Sequence, residues 1–201
     1  MIINDSLKTI FLHNPKTGGT FFREIYSQWY SRDEAYKYWK VFEEKYNVDL
    51  GHINYLNIAR FIPDYREFRI ITMLRNPFNR FVSAWKEACL HQSVIAKINN
   101  QYHGDIESIT EYLLSLNFYD QDLVLRNNSL PWLQPQSYFI REGTIKLYYE
   151  IPEDWFFLLN AFGIRYSHVN IRNDYTLTNQ SYDNIRRLYP EDGEIFEWYE
   201  Q

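Results

Sequence analysis

Residues Thr9–Tyr26 read TIFLHNPKTGGTFFREIY, and this stretch decides the fold. Thr9–His13 is a short apolar and β-branched run, which predicts a buried strand. Asn14–Thr20 is a tight segment with a proline and two adjacent glycines, and apolar residues recur at helical spacing from Phe21 onward. The sequence therefore predicts a strand, a tight loop and a helix.

The loop between this strand and helix has the composition of a phosphate cradle. A helix N-terminus presents unpaired N–H groups and a positive dipole end to an anion. Gly18 and Gly19 lack the Cβ atoms that would block close approach, Thr17 and Thr20 add hydroxyl donors, and Lys16 adds a positive charge. It is not a Walker A loop, because the lysine precedes the glycines. Taken alone, the loop could also be a glycine-rich turn that needs positive φ.

A second unit of the same kind follows. Arg69–Leu74 is an apolar run that predicts another strand, and helical spacing extends from Pro77 to about Ala88. If the two strands are parallel neighbours, both loops lie at the carboxyl edge of one sheet, where ligands bind in open α/β folds. Arg75 and Ser83 would there supply a guanidinium and a hydroxyl for a second phosphate.

The remaining patterns complete a single predicted domain, residues 1–201, without internal repeats or linkers. Gln92 to Gly104 is polar and predicts a loop over the site. The segment 130–136 contains two prolines and is predicted to be irregular, and 168–177 to be extended or looped. Helices are predicted over Ser31–Tyr46, from Leu56 to Phe61, from Ile106 to Leu116, and over Pro152–Phe162, Asn179–Tyr189 and Glu191–Tyr199, with a further strand over Ile145–Tyr149.

Composition restricts the class of protein. The chain has 201 residues, 45% of them hydrophobic and 23% charged, which is typical of a globular domain with its own core. A net charge of −5 argues against an extended nucleic-acid surface. Cys89 is the single cysteine, which favours a reducing compartment, and no apolar stretch is long enough to span a bilayer. We expect a cytoplasmic chain without a membrane span, or a catalytic domain separated from an anchor.

The two loop motifs together resemble those of a known enzyme family. PKTGGT at 15–20 and LRNPFNRFVSAW at 74–85 are similar to the cofactor signatures of sulfotransferases that use 3′-phosphoadenosine 5′-phosphosulfate (PAPS). The match is nearest to the carbohydrate branch that includes the heparan sulfate 2-O enzymes, and GHINYL at 51–56 extends it. Looser similarities continue to the closing IRRLYPEDGEIFEWY. The resemblance implies an α/β fold of three layers, with a mostly parallel central sheet flanked by helices, like the P-loop NTPases.

The resemblance also implies roles for individual residues. It assigns Lys16 and the loop Thr17–Thr20 to the 5′-phosphosulfate, and Arg75 with Ser83 to the 3′-phosphate. Sulfuryl transfer leaves negative charge on the bridging oxygen, which a lysine ammonium stabilises most in the transition state. The attacking hydroxyl needs a general base, and His52 in its Gly-His context is the candidate.

Other candidates are weaker. Glu24, Glu43 and Glu44 are rival bases, because some sulfotransferases use glutamate, but they lack a matching context. A further basic loop that closes over the 3′-phosphate in the family has no clear counterpart, and Arg172 is the candidate to substitute for it. The other histidines, expected to be structural, are His13, His91, His103 and His168, of which His13 should point to the far side of the sheet or cap the turn. No metal site is predicted.

The leading hypothesis is a PAPS-dependent sulfotransferase acting on an acceptor hydroxyl. A glycan or glycoconjugate is the favoured acceptor, because sugar faces can lie on aromatic rings. Trp85, Trp132 and Tyr138 are candidate walls, and peptidyl tyrosine or a lipid-linked hydroxyl are alternatives. The rival functions are a kinase-like phosphotransferase, disfavoured by the missing GK[ST], and a non-catalytic nucleotide-binding protein.

Overall fold

The computed structural model describes residues 1–127, 130–165 and 175–200. Its contacts group the chain into two compact units. The first unit comprises Met1–Arg75 and Tyr138–Arg172, and the second comprises Asn76–Ser137 and Asn173–Gln201. The expectation of one domain over 1–201 stays a prediction.

The first unit holds every strand described. The strands are β1 (Ile2–Asn4), β2 (Thr9–Leu12), β3 (Phe42–Glu43), β4 (Val48–Asp49), β5 (Arg69–Leu74) and β6 (Ile145–Tyr148). Its helices are α1 (Gly19–Trp29), α2 (Arg32–Tyr36), α3 (Tyr55–Phe61) and α8 (Pro152–Ala161). The second unit contains α4 (Pro77–His91), α5 (Ser93–Gln101), α6 (Ile106–Ser115), α7 (Phe118–Leu125), α9 (Asn179–Leu188) and α10 (Gly193–Tyr199).

The central sheet has the strand order β1-β2-β5-β6. β2 and β5 are parallel, with Ile10 opposite Ile70, and β5 and β6 are parallel, with Ile71 opposite Ile145. β1 pairs antiparallel with β2 at the edge, while β3 and β4 form a separate antiparallel pair. The prediction of a mostly parallel sheet is confirmed, and the two strands that precede the cationic loops are neighbours.

Both faces of this sheet are covered within the first unit. Alternate residues along β2 and β5 point to opposite faces, as the period of two requires. One face packs against α1 and α8, and the other against α3 and the segment that follows it. The inward residues are Phe11, Ile71, Met73 and Leu147 on the first face, and Ile10, Leu12 and Ile70 on the second. Helices therefore flank the sheet, as predicted.

The second unit is a helical assembly with a buried arginine, Arg80, and a buried aspartate, Asp192, in its interior. Arg80 is 3% exposed, and its Nη2 donates to the Trp132 carbonyl at 3.2 Å. Asp192 accepts hydrogen bonds from the amides of Gln136 at 3.0 Å and Ser137 at 2.8 Å. Burial raises the pKa of Asp192, and those amides together with the charge of Arg80 oppose the rise. Arg80 accordingly stabilises this unit.

The predicted helix Ser31–Tyr46 is wrong beyond its first turns. The structure has only α2, after which Lys40 takes a left-handed conformation with φ 57° that no α-helix continues. The helical spacing of the aromatic residues misled here, because Trp39 instead turns inward to contact buried side chains of the first unit.

The predicted loop Gln92–Gly104 is also wrong, because α5 occupies most of it. Ile95 and Ile98 lie three residues apart and are both buried. Trp85, 1% exposed, donates from Nε1 to Asn99 at 3.1 Å, so it is a core residue and not an acceptor wall. The short strand β1 and helix α7 were not predicted, and the prediction for 168–177 falls mainly on 166–174, outside the described residues.

Candidate active site

The glycine loop, residues 13–19, connects β2 to α1 and is anchored by buried hydrogen bonds. Asn14 donates from Nδ2 to the Met73 carbonyl at 3.2 Å, which ties the loop to β5. The Thr17 hydroxyl donates to the Asn14 carbonyl at 2.7 Å and is fully buried. The hydroxyl that the sequence offered to a ligand therefore closes the turn instead.

Lys16 and Arg75 are brought together at this loop. Lys16 has φ 66°, a left-handed conformation that is uncommon for a residue with a side chain. Arg75 donates from Nη1 to the Lys16 carbonyl at 3.2 Å, and its guanidinium lies 4.7 Å from the centre of the Tyr149 ring. The cation–π contact and the hydrogen bond hold Arg75, and through it the strained backbone of Lys16.

Both glycines of the loop lie against aromatic rings. A Cβ on Gly18, whose φ is 85°, would come within 2.5 Å of the Trp155 ring and 3.1 Å of the Tyr149 ring. A Cβ on Gly19 would lie 1.9 Å from Cδ2 of His13. Real Cβ atoms do not approach so closely, so only glycine fits at either position. The backbone of the loop thus packs against three aromatic side chains, Trp155, Tyr149 and His13, which we call the aromatic floor.

This floor orients the first turn of α1. Gly18 is the N-cap, so no side chain caps the helix there, and the first turn has no acidic residue. Gly19 begins the helix, and Thr20 is exposed beside it. The positive end of the helix dipole and Lys16 therefore lie on the same short segment, an arrangement that favours an anionic guest.

His52 lies next to the glycine loop. It ends a 3-10 turn, Leu50–His52, in which the Asp49 carboxylate accepts from the Gly51 amide at 2.7 Å. His52 is 8% exposed, and its Nδ1 lies 3.1 Å from the carbonyl oxygen of His13. Burial lowers its pKa to about 3, and the nearby positive charges of the Met1 amino group and Lys16 act in the same direction. The ring is therefore neutral at physiological pH.

His13, expected from the sequence to point to the far side of the sheet or to cap the turn, is packed between Gly19 and His52. Its ring is 3% exposed and lies 4.3 Å, centre to centre, from that of His52. Trp39 stacks on His13 at 5.8 Å and meets His52 edge-on at 5.6 Å, while the buried Arg23 lies 4.6 Å from the Trp39 ring. His13 thus contacts both the loop and the candidate base.

The other candidates are not joined to this group. Glu24 is exposed on α1, and Glu44 is exposed on a short 3-10 turn. Ser83 lies on α4 and is partly buried, but it belongs to the second unit, so its pairing with Arg75 stays a prediction. Arg172 lies outside the described residues.

Within the ranges 1–127, 130–165 and 175–200, no group of three or more His, Cys, Asp or Glu side chains is placed to hold a metal ion. In the same ranges no helix is both long enough and apolar enough to cross a membrane.

Fold and site together define an α/β protein with a glycine-rich strand-to-helix loop next to a buried histidine. A family model described as "Sulfotransferase family" matches residues 1–121 of the 201. The chain belongs to the sulfotransferase family. No curated protein and no solved structure matches it.

Proposed function

We propose that this chain is a sulfotransferase that moves the sulfuryl group of PAPS to an acceptor hydroxyl. The products are a sulfate ester, adenosine 3′,5′-bisphosphate and a proton. The observation that carries the proposal is the family match over residues 1–121, because Lys16, His52, Arg75 and Ser83 all lie inside it. The match begins in the first unit and extends into the second, which also supports one functional domain over 1–201.

The residues of the glycine loop fit PAPS. A Cβ at Gly18 or Gly19 would collide with the aromatic rings beneath the loop, so both glycines are needed to hold the loop in this conformation. We assign Lys16 and the loop Thr17–Thr20 to the 5′-phosphosulfate. The Thr17 hydroxyl already donates to the Asn14 carbonyl, so Thr17 would act through its main-chain amide. We assign Arg75 and Ser83 to the 3′-phosphate.

The chemistry divides between one lysine and one histidine. PAPS supplies an activated sulfuryl group, and its transfer leaves negative charge on the oxygen that bridged sulfur and the 5′-phosphate. The Lys16 ammonium stabilises that developing charge more than the ground state, which lowers the barrier. The His52 ring removes the proton of the acceptor hydroxyl as the new S–O bond forms. No metal is required for either role.

The low pKa of His52 has a consequence for the order of events. A pKa of about 3 keeps the ring deprotonated and available, but makes it a weak base in the ligand-free protein. Negative charge bound at the glycine loop opposes the effect of Lys16 and the Met1 amino group, and so raises that pKa. We infer that His52 becomes an effective base only when the anionic donor is in place.

A glycan or glycoconjugate remains our proposed acceptor, as in the carbohydrate branch of the family. Its support is the aromatic content of the chain, 19%, since aromatic faces bind sugars. A cytoplasmic location is proposed on the strength of the single cysteine, Cys89.

Calorimetric titration with three probes tests the donor. We expect the protein to bind adenosine 3′,5′-bisphosphate more tightly than adenosine 5′-monophosphate, and to bind ATP with Mg²⁺ weakly. A charged hydrogen-bonding partner contributes about 1.5–3 kcal/mol, so the preference should be roughly 10- to 100-fold. Arg75→Ala should remove that preference, and because Arg75 also holds the Lys16 backbone it should weaken monophosphate binding by a smaller factor. Arg69→Ala, at the opposite end of β5, is the control and should leave the preference unchanged.

Two outcomes would overturn the proposal. Tighter binding of ATP with Mg²⁺ than of the bisphosphate would favour the kinase-like function. A wild-type protein that binds none of the three nucleotides would favour a non-catalytic role.

A further inference from the structure

His13 occupies the space between the glycine loop and the candidate base. On one side its ring is so close to the loop that a Cβ built on Gly19 would lie 2.0 Å from Nε2. On the other side the ring centre is 4.3 Å from that of His52, at a tilt of 50°. Trp39 closes the group by stacking on His13 at 5.8 Å. The His13 ring therefore lies between Gly19 and the His52 ring and separates them.

The main chain of His13 acts on the same base. Its carbonyl oxygen lies 3.1 Å from Nδ1 of His52. A carbonyl oxygen only accepts hydrogen bonds, so Nδ1 must carry the proton of the neutral ring. The lone pair is then on Nε2, the atom that would take a proton from an acceptor. One residue thus determines the tautomer of His52.

We propose that His13 is a positioning residue for sulfuryl transfer: its carbonyl fixes the tautomer of His52, and its ring keeps the base dry and at a fixed distance from the glycine loop. The proposal rests on the sulfotransferase function proposed above. It goes beyond it by giving a role to a residue that need not touch donor or acceptor. His13 is not itself a second base, because its position beneath Gly19 leaves it 3% exposed.

The charges around the pair are consistent with this role. Burial lowers the pKa of His13 well below its usual value, and proximity to His52 lowers it further, so both rings are neutral and at most one accepts a proton. Several charged groups act on the two histidines from the elements packed around them. They are the Met1 amino group, Lys16 in the loop and Arg23 on α1. The Asp49 carboxylate accepts from the Gly51 amide, in the same 3-10 turn as His52.

Nitrogen-15 NMR of the histidine side chains tests the proposal without substrate. In the wild-type protein, His52 should be the Nδ1–H tautomer and should not titrate between pH 5 and 8. His13→Ala removes the ring, admits water and should bring the titration of His52 into that range. His13→Phe restores a flat ring of similar thickness and should return His52 to the wild-type behaviour. An Nε2–H tautomer in the wild type, or an unchanged His52 in His13→Ala, would overturn the proposal.

Kinetics separates positioning from general damage. His13→Ala should lower kcat about 100-fold, the scale of a misplaced catalytic group, while the affinity for adenosine 3′,5′-bisphosphate changes less than about threefold. His13→Phe should recover most of kcat. Equal losses of affinity and kcat would mean that the ring only supports the fold. If the wild type binds no bisphosphate, the proposed function fails, but the NMR result for His52 still stands or falls by itself.

Discussion

Two strand-to-helix turns of this chain look alike in sequence but differ in whether a side chain caps the first N–H groups of the helix. At the start of α4, the Asn76 side chain accepts from the amides of Phe78 at 3.1 Å and Asn79 at 3.2 Å, and Pro77 has no N–H to satisfy. At the start of α1 the N-cap is Gly18, which has no side chain to offer. A side chain caps the N-terminus of α4, whereas no side chain caps that of α1.

The difference extends to what lies beneath each turn. The glycine loop has two left-handed residues, Lys16 and Gly18, and rests on aromatic rings that exclude any Cβ. The turn of residues 75–76 uses ordinary capping chemistry and tolerates side chains. Strain and exclusion of side chains are features of binding sites, whereas a satisfied cap stabilises the fold. The comparison predicts that substitutions in the first turn alter function most, and those in the second alter stability.

Lys16→Ala should have the largest effect. If Lys16 stabilises the leaving oxygen, its loss should lower kcat by about 10²- to 10³-fold, as for other preorganised charges in transition states. Lys40→Ala is the matched control, because Lys40 is another lysine with positive φ, at 57°, but is exposed and far along the chain from the loop. Steady-state sulfuryl transfer from PAPS measures both variants. Near wild-type kcat in Lys16→Ala would remove the lysine from the mechanism.

Gly19→Ala should rank second, through sterics. The added methyl group would overlap the His13 ring at 1.9 Å, and overpacking of this kind costs about 1–3 kcal/mol of unfolding free energy. The loop should also lose affinity for adenosine 3′,5′-bisphosphate as the backbone shifts. Gly193→Ala is the control, because nothing lies within 4 Å of a Cβ there.

A combined variant isolates the cause of this loss. Gly19→Ala with His13→Ala should be more stable than Gly19→Ala alone, because the ring that collides is gone. Urea unfolding of the wild type, Gly19→Ala, His13→Ala and the double variant measures this coupling. If the changes in unfolding free energy of the two single variants simply add up in the double variant, the proposed collision is contradicted.

The buried histidines predict the third effect, a loss of stability in acid. His52 has a folded pKa of about 3 and an unfolded value of 6.5, so the unfolded chain binds more protons between these values. Its contribution is fully present above pH 6.5 and is lost as the pH falls toward 3. At 1.36 kcal/mol per pH unit, about 2 kcal/mol disappears between pH 6.5 and 5.

Urea unfolding at pH 7 and pH 5 measures this slope. His52→Asn should reduce the loss of stability on acidification by about that amount. Parallel pH dependence in wild type and His52→Asn would mean that His52 is not buried as a neutral group.

The sequence predicted the parts of the fold that depend on local pattern. β5 follows the predicted run Arg69–Leu74 residue for residue, and α1 follows the glycines, because an apolar run and a helical period leave few alternatives. We predicted that β2 and β5 are neighbours because each strand ends at a cationic loop, and the structure pairs them in parallel. The sequence analysis also predicted that Lys16 and Arg75 lie at the same edge of the sheet. In the structure Arg75 donates a hydrogen bond to the Lys16 carbonyl.

Features that depend on distant contacts were not predictable. Nothing local to His13 indicates that His52, 39 residues away, lies against it. Likewise, Trp39 satisfies a helical period but is drawn into the contact with His13, and the helix ends before it. The polar composition of Gln92–Gly104 concealed α5, whose burial depends on only two isoleucines. Tertiary contacts override local preference in each case.

Asn76→Ala should have the smallest effect and sharpens the comparison most. It removes a satisfied N-cap, so it should lower the unfolding free energy by about 1 kcal/mol without lowering the affinity for adenosine 3′,5′-bisphosphate. Asn117→Ala, which removes the cap of α7 bonded to the Asp120 amide at 3.0 Å, should cost a similar amount. A ligand at 100 times its Kd adds about 2.7 kcal/mol to any protein that binds it, and this increment should be the same in wild type and Asn76→Ala. A smaller increment in Asn76→Ala alone would place the Asn76 side chain on the ligand, and the two turns would then share one function.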